Sequence, residues 1–348
     1  MSQRLDSLTL YSYPAPEMEA KWRDYLNRVE CPAHYDTPEF FEEPYWAGKK
    51  PFAVLALEDG QVAGVLTGIH LPGEVVAGRI SCSQVSVAKA CDAVAVTEIL
   101  AQGLRREGRA EPLVTAYTWD HAVPGDGFLA EGFRGRLCSG AVILDLSKGP
   151  EALFSELHKK RRNNIRYAIR NGVEVSEAKT EEDIRMFYKI YNTWRETPRK
   201  EIHGEELPYS LFEGWFRSNA RNRKFFLARV SGRIIAGSTL RVCPGGLVEY
   251  ANNSSLDEFL HLKPNDLISW KAIEWASGAG FRRYSLGAAE RFHREFGGSV
   301  VPVVRYRIDQ SFLRRHDLSE KLLDRGRGAL KKLPPVVERQ IRKALGKG

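Results

Sequence analysis

The sequence predicts an α/β (α+β) protein in which one domain with a mixed, mainly antiparallel sheet occurs twice in tandem, closed by a basic helical C-terminal tail. Three observations carry this. A chain of 348 residues is long for one core and about right for two, at roughly 100–200 residues each. A hairpin pattern occurs twice, about 170 residues apart, a period far too long for a solenoid. Around the second hairpin the elements run helices, hairpin, strand, helix, strand, an order that mixes helices with a mainly antiparallel sheet.

The elements follow in order from local pattern. Phe52-Ala-Val-Leu-Ala-Leu57 is an apolar strand run; Glu58-Asp59-Gly60 supplies the φ > 0 that a tight turn needs, and a second apolar run covers 62–69. Residues 95–104 are helix-like. A strand run over 141–146 is broken by Lys148-Gly149-Pro150, which places the first domain at 1–147, the second at 148–310 and the tail at 311–348. Phe187, Ile190, Tyr191 and Trp194 then recur at helical spacing. The hairpin returns as Phe225-Phe-Leu-Ala-Arg-Val230, Ser231-Gly232 and Ile234-Ile-Ala-Gly-Ser-Thr-Leu240, again with Leu-Ala before the turn and Ala-Gly after it. Leu247-Val-Glu-Tyr250 reads as a strand. A helix starts at Pro264, Asn265 and Asp266, carries Ile268, Ala272, Trp275 and Ala276 on one face, and stops at Gly278-Ala-Gly280. Residues 284–286 and 300–308 read as strands.

Apolar residues at 43% and aromatics at 10% suffice for real cores and exclude a globally disordered or collagenous chain. No run approaches the 18 to 20 or so apolar residues of a membrane span, and residues 1–20 scatter charges where a signal peptide would be apolar. A cytoplasmic protein is expected. The five cysteines are widely spaced and read as reduced thiols with no zinc site. Of the net charge of +8, +7 falls within 314–348, so the body is nearly neutral.

Residues 151–170 read as one helix that ends at Asn171-Gly172. At about 100° per residue, Phe154, Leu157, Ile165 and Ala168 share one side while Lys159, Arg162, Arg166 and Arg170 form a cationic stripe on the other. Arg161 falls among the apolar positions, where a guanidinium must snorkel or meet a buried anion. An ordinary solvated helix interleaves acids at i,i+4, and none lies between Lys159 and Arg170. The stripe points to a phosphate-bearing ligand, with a plain solvated face as the alternative.

Glu131-Gly-Phe133, Val142-Ile-Leu-Asp-Leu146 and Lys159-Lys-Arg-Arg-Asn-Asn-Ile-Arg-Tyr-Ala-Ile-Arg-Asn-Gly-Val-Glu-Val175 are followed by Tyr250-Ala-Asn252, the helix from Pro264 ending in Trp275-Ala276, Tyr284-Ser-Leu-Gly287 and Arg291-Phe-His-Arg-Glu-Phe-Gly-Gly298. In these passages, over about residues 40–308, the chain resembles the Fem family, the peptidoglycan interpeptide-bridge aminoacyltransferases of the GNAT acyltransferase superfamily. The resemblance implies tandem GNAT-like domains and acyl transfer to an amine, which in the bridge ligases runs from aminoacyl-tRNA to a peptidoglycan precursor. The chain has His293 after Phe292 where the family commonly has lysine, and Ser285 where it commonly has Asp. The long helical arm of some bridge ligases has no counterpart. On this resemblance Phe292 and His293 are the reaction-centre residues and Tyr250 and Asn252 border them; the stripe Lys159, Arg162 and Arg166 would hold phosphate, and Arg161 beside it is counted as substrate-binding.

The residues favour direct attack over a covalent intermediate: no nucleophile elbow occurs and no cysteine context singles out a nucleophile. An amine of pKa near ~10 must lose a proton to attack, and an oxyanion then needs stabilising. His293 suits either step, with a packing role as its alternative. No bound cofactor or metal is expected; the donor is aminoacyl-tRNA or acyl-CoA. The one match to a CoA-binding loop, Arg105-Arg-Glu-Gly108-Arg-Ala110, follows a helix, where the dipole is wrong for phosphate, so acyl-CoA is the less favoured donor. In the tail, Val337, Ile341, Ala344 and Leu345 oppose Arg339, Arg342 and Lys343, which suits the cytoplasmic membrane face or tRNA; the alternative is a helix docked on the body. No DNA partner is expected. The function expected is an acyltransferase acting on an amine of a phosphate-bearing or lipid-linked cell-envelope precursor. Its alternatives are an acyl-CoA-dependent N-acyltransferase of exopolysaccharide or lipid-linked sugar, and a non-catalytic RNA- or membrane-binding module.

Overall fold

The computed structural model describes residues 4–119, 123–197, 206–217 and 221–330. In chain order the first half supplies β1 (Leu5–Leu10), α1 (Pro16–Arg28), β2 (Lys50–Glu58), β3 (Gln61–Leu71), β4 (Glu74–Ala77), β5 (Val85–Val87), α2 (Ala93–Glu107), β6 (Leu113–Trp119), α3 (Asp126–Ala130), β7 (Arg134–Leu137) and β8 (Ala141–Asp145). There follow α4 (Gly149–Glu156), α5 (Lys159–Arg170), β9 (Val173–Glu177), α6 (Glu181–Glu196), α7 (Tyr209–Arg217), β10 (Arg223–Val230), β11 (Arg233–Val242), β12 (Leu247–Ser255), α8 (Pro264–Gly278), β13 (Arg283–Ala288), α9 (Arg291–Arg294), β14 (Ser299–Val301), β15 (Val303–Asp309) and α10 (Arg315–Leu330).

The two hairpins match in backbone detail. Asp59 and Gly60 join β2 to β3 at φ 48° and 78°, and Ser231 and Gly232 join β10 to β11 at φ 48° and 79°, so both turns put two central residues in the left-handed region that suits the twist of a hairpin. Each hairpin slips register once just before its turn, at Ala56/Leu57 and at Ala228/Arg229. The first sheet runs β1-β2-β3-β4-β6-β15-β7 with β5 beside β3, and the second runs β14-β8-β13-β12-β11-β10-β9. Pairing is antiparallel except at β4–β6 and β12–β13, one parallel pair at the equivalent place in each sheet. This is the tandem, mainly antiparallel α/β architecture that the sequence predicts.

The halves also trade strands. β8 lies between β13 and β14 in the second sheet, and β15 lies between β6 and β7 in the first, so a cut at 147/148 does not separate the two sheets. The run read as one strand over 300–308 is two, in different sheets, and the chain crosses between them at Pro302, which has no N–H to give a ladder. β15 brings Tyr306 to the first core, beside Phe128 and the α2 residues Val96, Leu100 and Leu104. The second core forms where α8, buried on most of its surface, crosses β10, β11 and β12.

The helix read over 151–170 is likewise two, broken where Leu157 and His158 adopt ψ 142° and 141°. His158 donates its backbone N–H to the Glu295 carbonyl at 2.9 Å, and its ring Nδ1 accepts from the Lys160 N–H at 3.3 Å. A tertiary partner and a new cap thus override helix propensity. All five cysteines are free thiols, and no helix among the described residues is long and apolar enough to cross a membrane. The tail helix read at 337–345 lies outside the described residues.

Candidate active site

The site begins where two parallel strands part. β12 and β13 pair only through Leu247–Glu249 and Arg283–Ser285. Beyond that β12 stays with β11 and β13 stays with β8, so a gap opens between them. A register shift beside Ala251, which leaves Leu240 opposite Tyr250 and Thr239 opposite Asn252, re-aims the strand as bulges do. Tyr250, Ala251, Asn252 and Asn253 consequently all face one cavity. Its volume is about 590 Å³, within the range of small-molecule sites.

His293 enters the same cavity from α9. Its Nδ1 lies 2.6 Å from the Ala288 carbonyl oxygen. A carbonyl only accepts, so Nδ1 carries a proton, and an acceptor lone pair on this ring can lie only at Nε2. The ring meets Tyr250 edge-on, with centroids 5.6 Å apart. Burial pushes the Tyr250 hydroxyl above its ordinary pKa, which keeps it a proton donor at neutral pH. The exposed side chain of Glu290 lines the cavity beside them. An acceptor, a donor and a carboxylate on one wall are the groups that proton transfer during acyl transfer needs.

The facing wall comes from the first half: Tyr35, Tyr45, Trp46 and Arg79 with the strand ends near Cys82 and Gln84. Arg79 is exposed and stands 5.8 Å from the Tyr45 ring centre. Trp46 Nε1 and the Thr239 hydroxyl, both buried, have no hydrogen-bond partner among the described residues, and both residues line the cavity.

Below this wall a buried network ties the halves together. Glu43 lies 2.5 Å from Arg223 Nη2 and accepts a hydrogen bond from Trp215 Nε1. Burial alone would raise the Glu43 carboxyl, but Arg223, His34 and Trp215 together hold it below the carboxylate range. Burial outweighs Glu43 at His34 and lowers its pKa, so His34 is neutral and its Nε2–H donates to Glu43 across 3.3 Å. Arg241, on β11, pairs with the buried Glu249 at 3.2 Å and lies 5.1 Å from the Tyr35 ring centre.

Of the residues singled out in the sequence, Tyr250, Asn252 and His293 come together at this cavity; Phe292, Lys159, Arg161, Arg162 and Arg166 do not line it. Phe292 packs on Phe296 and on Arg161, whose guanidinium carbon is 4.2 Å from the Phe292 ring centre. Arg161, counted with the substrate-binding residues, is instead an internal clamp: buried, it meets Asp266 at 2.6 Å and Glu295 at 2.7 Å. Arg162 turns to its own backbone, donating Nη1 to the carbonyls of Ser155, at 2.8 Å, and Leu157. Arg166 lies over Phe154, its guanidinium carbon 5.4 Å from the ring centre, and Lys159 is exposed. Ser285 is fully buried and accepts from the Gly287 N–H at 3.2 Å, steadying a second bulge where Gly287 takes φ 83°. The Arg105–Ala110 loop sits at the end of α2, with Gly108 as its C-cap. The first-half wall carries no motif; the dense aromatics of Phe40-Phe41 and Tyr45-Trp46 around Pro44 were its only trace in the sequence.

Residues 159–295 match the family model described as an acetyltransferase (GNAT) domain. Over that span the chain is similar to acyltransferases of the GNAT type. Its tandem fold is Fem-like: it superposes on FemX with a TM-score of 0.64 at 12% identity, covering 87% of this chain and 98% of that one. L-PGS from Bacillus licheniformis is similar with a TM-score of 0.55 at 12% identity, over 85% and 92% of the two chains. A tandem GNAT protein from the clavulanic acid biosynthesis pathway gives 0.54 at 12% identity, over 89% and 99%. No curated protein matches this chain in sequence.

Proposed function

We propose that this protein transfers an aminoacyl or other acyl group to an amine of a cell-envelope precursor of the peptidoglycan type, in the cavity between its halves. The observation that carries this reading is the edge-on contact of the His293 and Tyr250 rings, 5.6 Å between centroids, on one wall of a cavity lined from both halves. The amine nitrogen attacks the acyl carbonyl carbon while His293 Nε2 takes its proton. The bond to the leaving oxygen or sulfur then breaks, and Tyr250 gives that atom a proton. Asn252 borders the reacting groups. Arg79 supplies positive charge for a phosphate-bearing part of the acceptor, and Trp46 Nε1 and the Thr239 hydroxyl offer hydrogen bonds to its polar groups. Lys159 and Arg166, clear of the cavity, meet phosphates of the donor.

The Fem motifs and the FemX-like fold support an aminoacyl-tRNA donor and a lipid-linked or nucleotide-linked acceptor at the cytoplasmic membrane face. The match to an acetyltransferase domain favours acyl-CoA as the second reading. Incubation with charged tRNA or with acyl-CoA, each beside a lipid-linked precursor and read by mass spectrometry, separates them. A product from charged tRNA supports the first, and a product from acyl-CoA alone supports the second. Binding with no product from either donor leaves a non-catalytic module.

A further inference from the structure

Helix α10 is amphipathic the wrong way round for a globular protein. Asp317, Glu320 and Asp324, spaced by three and four residues, face the body. Asp317 meets Arg134 at 3.5 Å, Glu320 meets Arg305 at 2.6 Å and Arg307 at 3.4 Å, and Asp324 meets Arg136 at 2.6 Å. The start of the helix is fixed as well: Asp309 accepts from the Asp317 N–H at 2.8 Å, and Ser311 Oγ accepts from the Arg315 N–H at 3.1 Å. A helix attached through its charged face turns its apolar side chains outward. Leu318 is 53% exposed, Leu322 58% and Leu323 60%, and the turn ahead of the helix adds Phe312 at 85% and Leu313 at 76%. Leu313 and Arg314 hold φ 54° and 49°, conformations that bulky residues avoid and that cluster at functional surfaces.

Charge decides what covers this face. Arg314, Arg315, Lys321 and Arg325 are exposed around the leucines and have no carboxylate partner among the described residues. Apolar side chains rimmed by unpaired cations match a surface whose interior is hydrocarbon and whose headgroups are anionic. A second copy of the chain would set like charges against one another. We propose that residues 312–325 form a docking surface for an anionic lipid bilayer, holding the enzyme against a membrane through α10. This rests on α10 alone and stands apart from the reading of the cavity.

The test is sedimentation of the full chain with phosphatidylcholine vesicles and with vesicles containing about 30% phosphatidylglycerol. The chain is expected to partition onto the anionic vesicles only, and raising salt from about 0.1 to 0.5 M should weaken this at least tenfold. Lys321→Gln with Arg325→Gln should weaken it about 25-fold, at roughly fivefold per cation. Leu318→Ser with Leu322→Ser should weaken it at least tenfold, with the melting temperature little changed because both positions are exposed. The proposal is overturned if anionic vesicles do not bind the chain, if either pair of substitutions leaves binding intact, or if removing 331–348 abolishes binding while the leucine pair does not. It is equally overturned if the chain self-associates without vesicles and the leucine pair abolishes that association, since the face then belongs to a second copy.

Discussion

Arg161 lies 2.7 Å from the carboxylate of Glu295, two residues beyond His293, and so ties the helix that carries the basic stripe to the turn that carries the candidate base. Its second fork holds Asp266 at the start of α8, and its face stacks on Phe292. The sequence left two outcomes for a guanidinium at an apolar helix position, snorkelling to water or a buried anion, and the structure shows the second.

Removing that clamp should be costly. Arg161→Met leaves the buried Asp266 without its cation and Glu295 with Arg291 alone, for an expected loss of about 3–5 kcal/mol. Arg161→Lys should recover only part of this, because an ammonium cannot bridge two carboxylates with a rigid fork. Denaturant unfolding of both variants checks it, and equal stability of Lys and wild type would contradict the bridging role.

His293→Ala is expected to lower kcat by about 10² to 10⁴ while KM changes little, the range for loss of a general base. Steady-state kinetics with the donor identified by the mass-spectrometric assay measures this. An unchanged kcat removes His293 from the mechanism.

Arg162→Glu should act on stability rather than on ligand binding. Arg162 satisfies the carbonyls of Ser155 and Leu157 at the end of α4, and an acid there loses those bonds and sets a negative charge beside the same carbonyls, at about 2 kcal/mol. Thermal unfolding beside donor binding at two salt concentrations decides. A strongly salt-dependent loss of binding with normal stability would return Arg162 to the phosphate site.

Asp36 makes stability fall as pH rises. Burial raises its pKa to about 7, against the opposing hydrogen bond from the Ala33 N–H, so the folded state holds a proton that the unfolded chain releases near pH 4. The folded state binds more protons between about pH 4 and 7, and this contribution, as much as about 4 kcal/mol, is complete below that window and lost through it. Asp36→Asn should flatten the decline, as measured by denaturant midpoints from pH 4 to 8. An unaltered slope would assign the dependence to other groups.

Much of the fold was legible because its signals are local. Asp59-Gly60 and Ser231-Gly232 demand left-handed backbone wherever they fold, and the start and stop signals of α8 need no distant partner. The break at Leu157 and His158 was not legible, because it depends on a bond from His158 to Glu295. At the site, Tyr250, Asn252 and His293 were found through family motifs. Their spacing alone would not have united them, since it is a bulge and the parting of β12 from β13 that aims them into one space.

The sequence by itself determined that the chain is a duplicated α/β protein, that Arg161 falls among apolar helix positions and that the basic excess sits near the C-terminus. Each of these follows from period, turn chemistry or composition within one stretch of chain. Only the tertiary structure decided which anions serve Arg161, which strands the halves exchange, how first-half aromatics close the cavity and which face α10 shows to solvent. Those outcomes depend on contacts between residues as far apart as Arg161 and Asp266, 105 positions along the chain, and no local pattern encodes which distant charges and faces will meet.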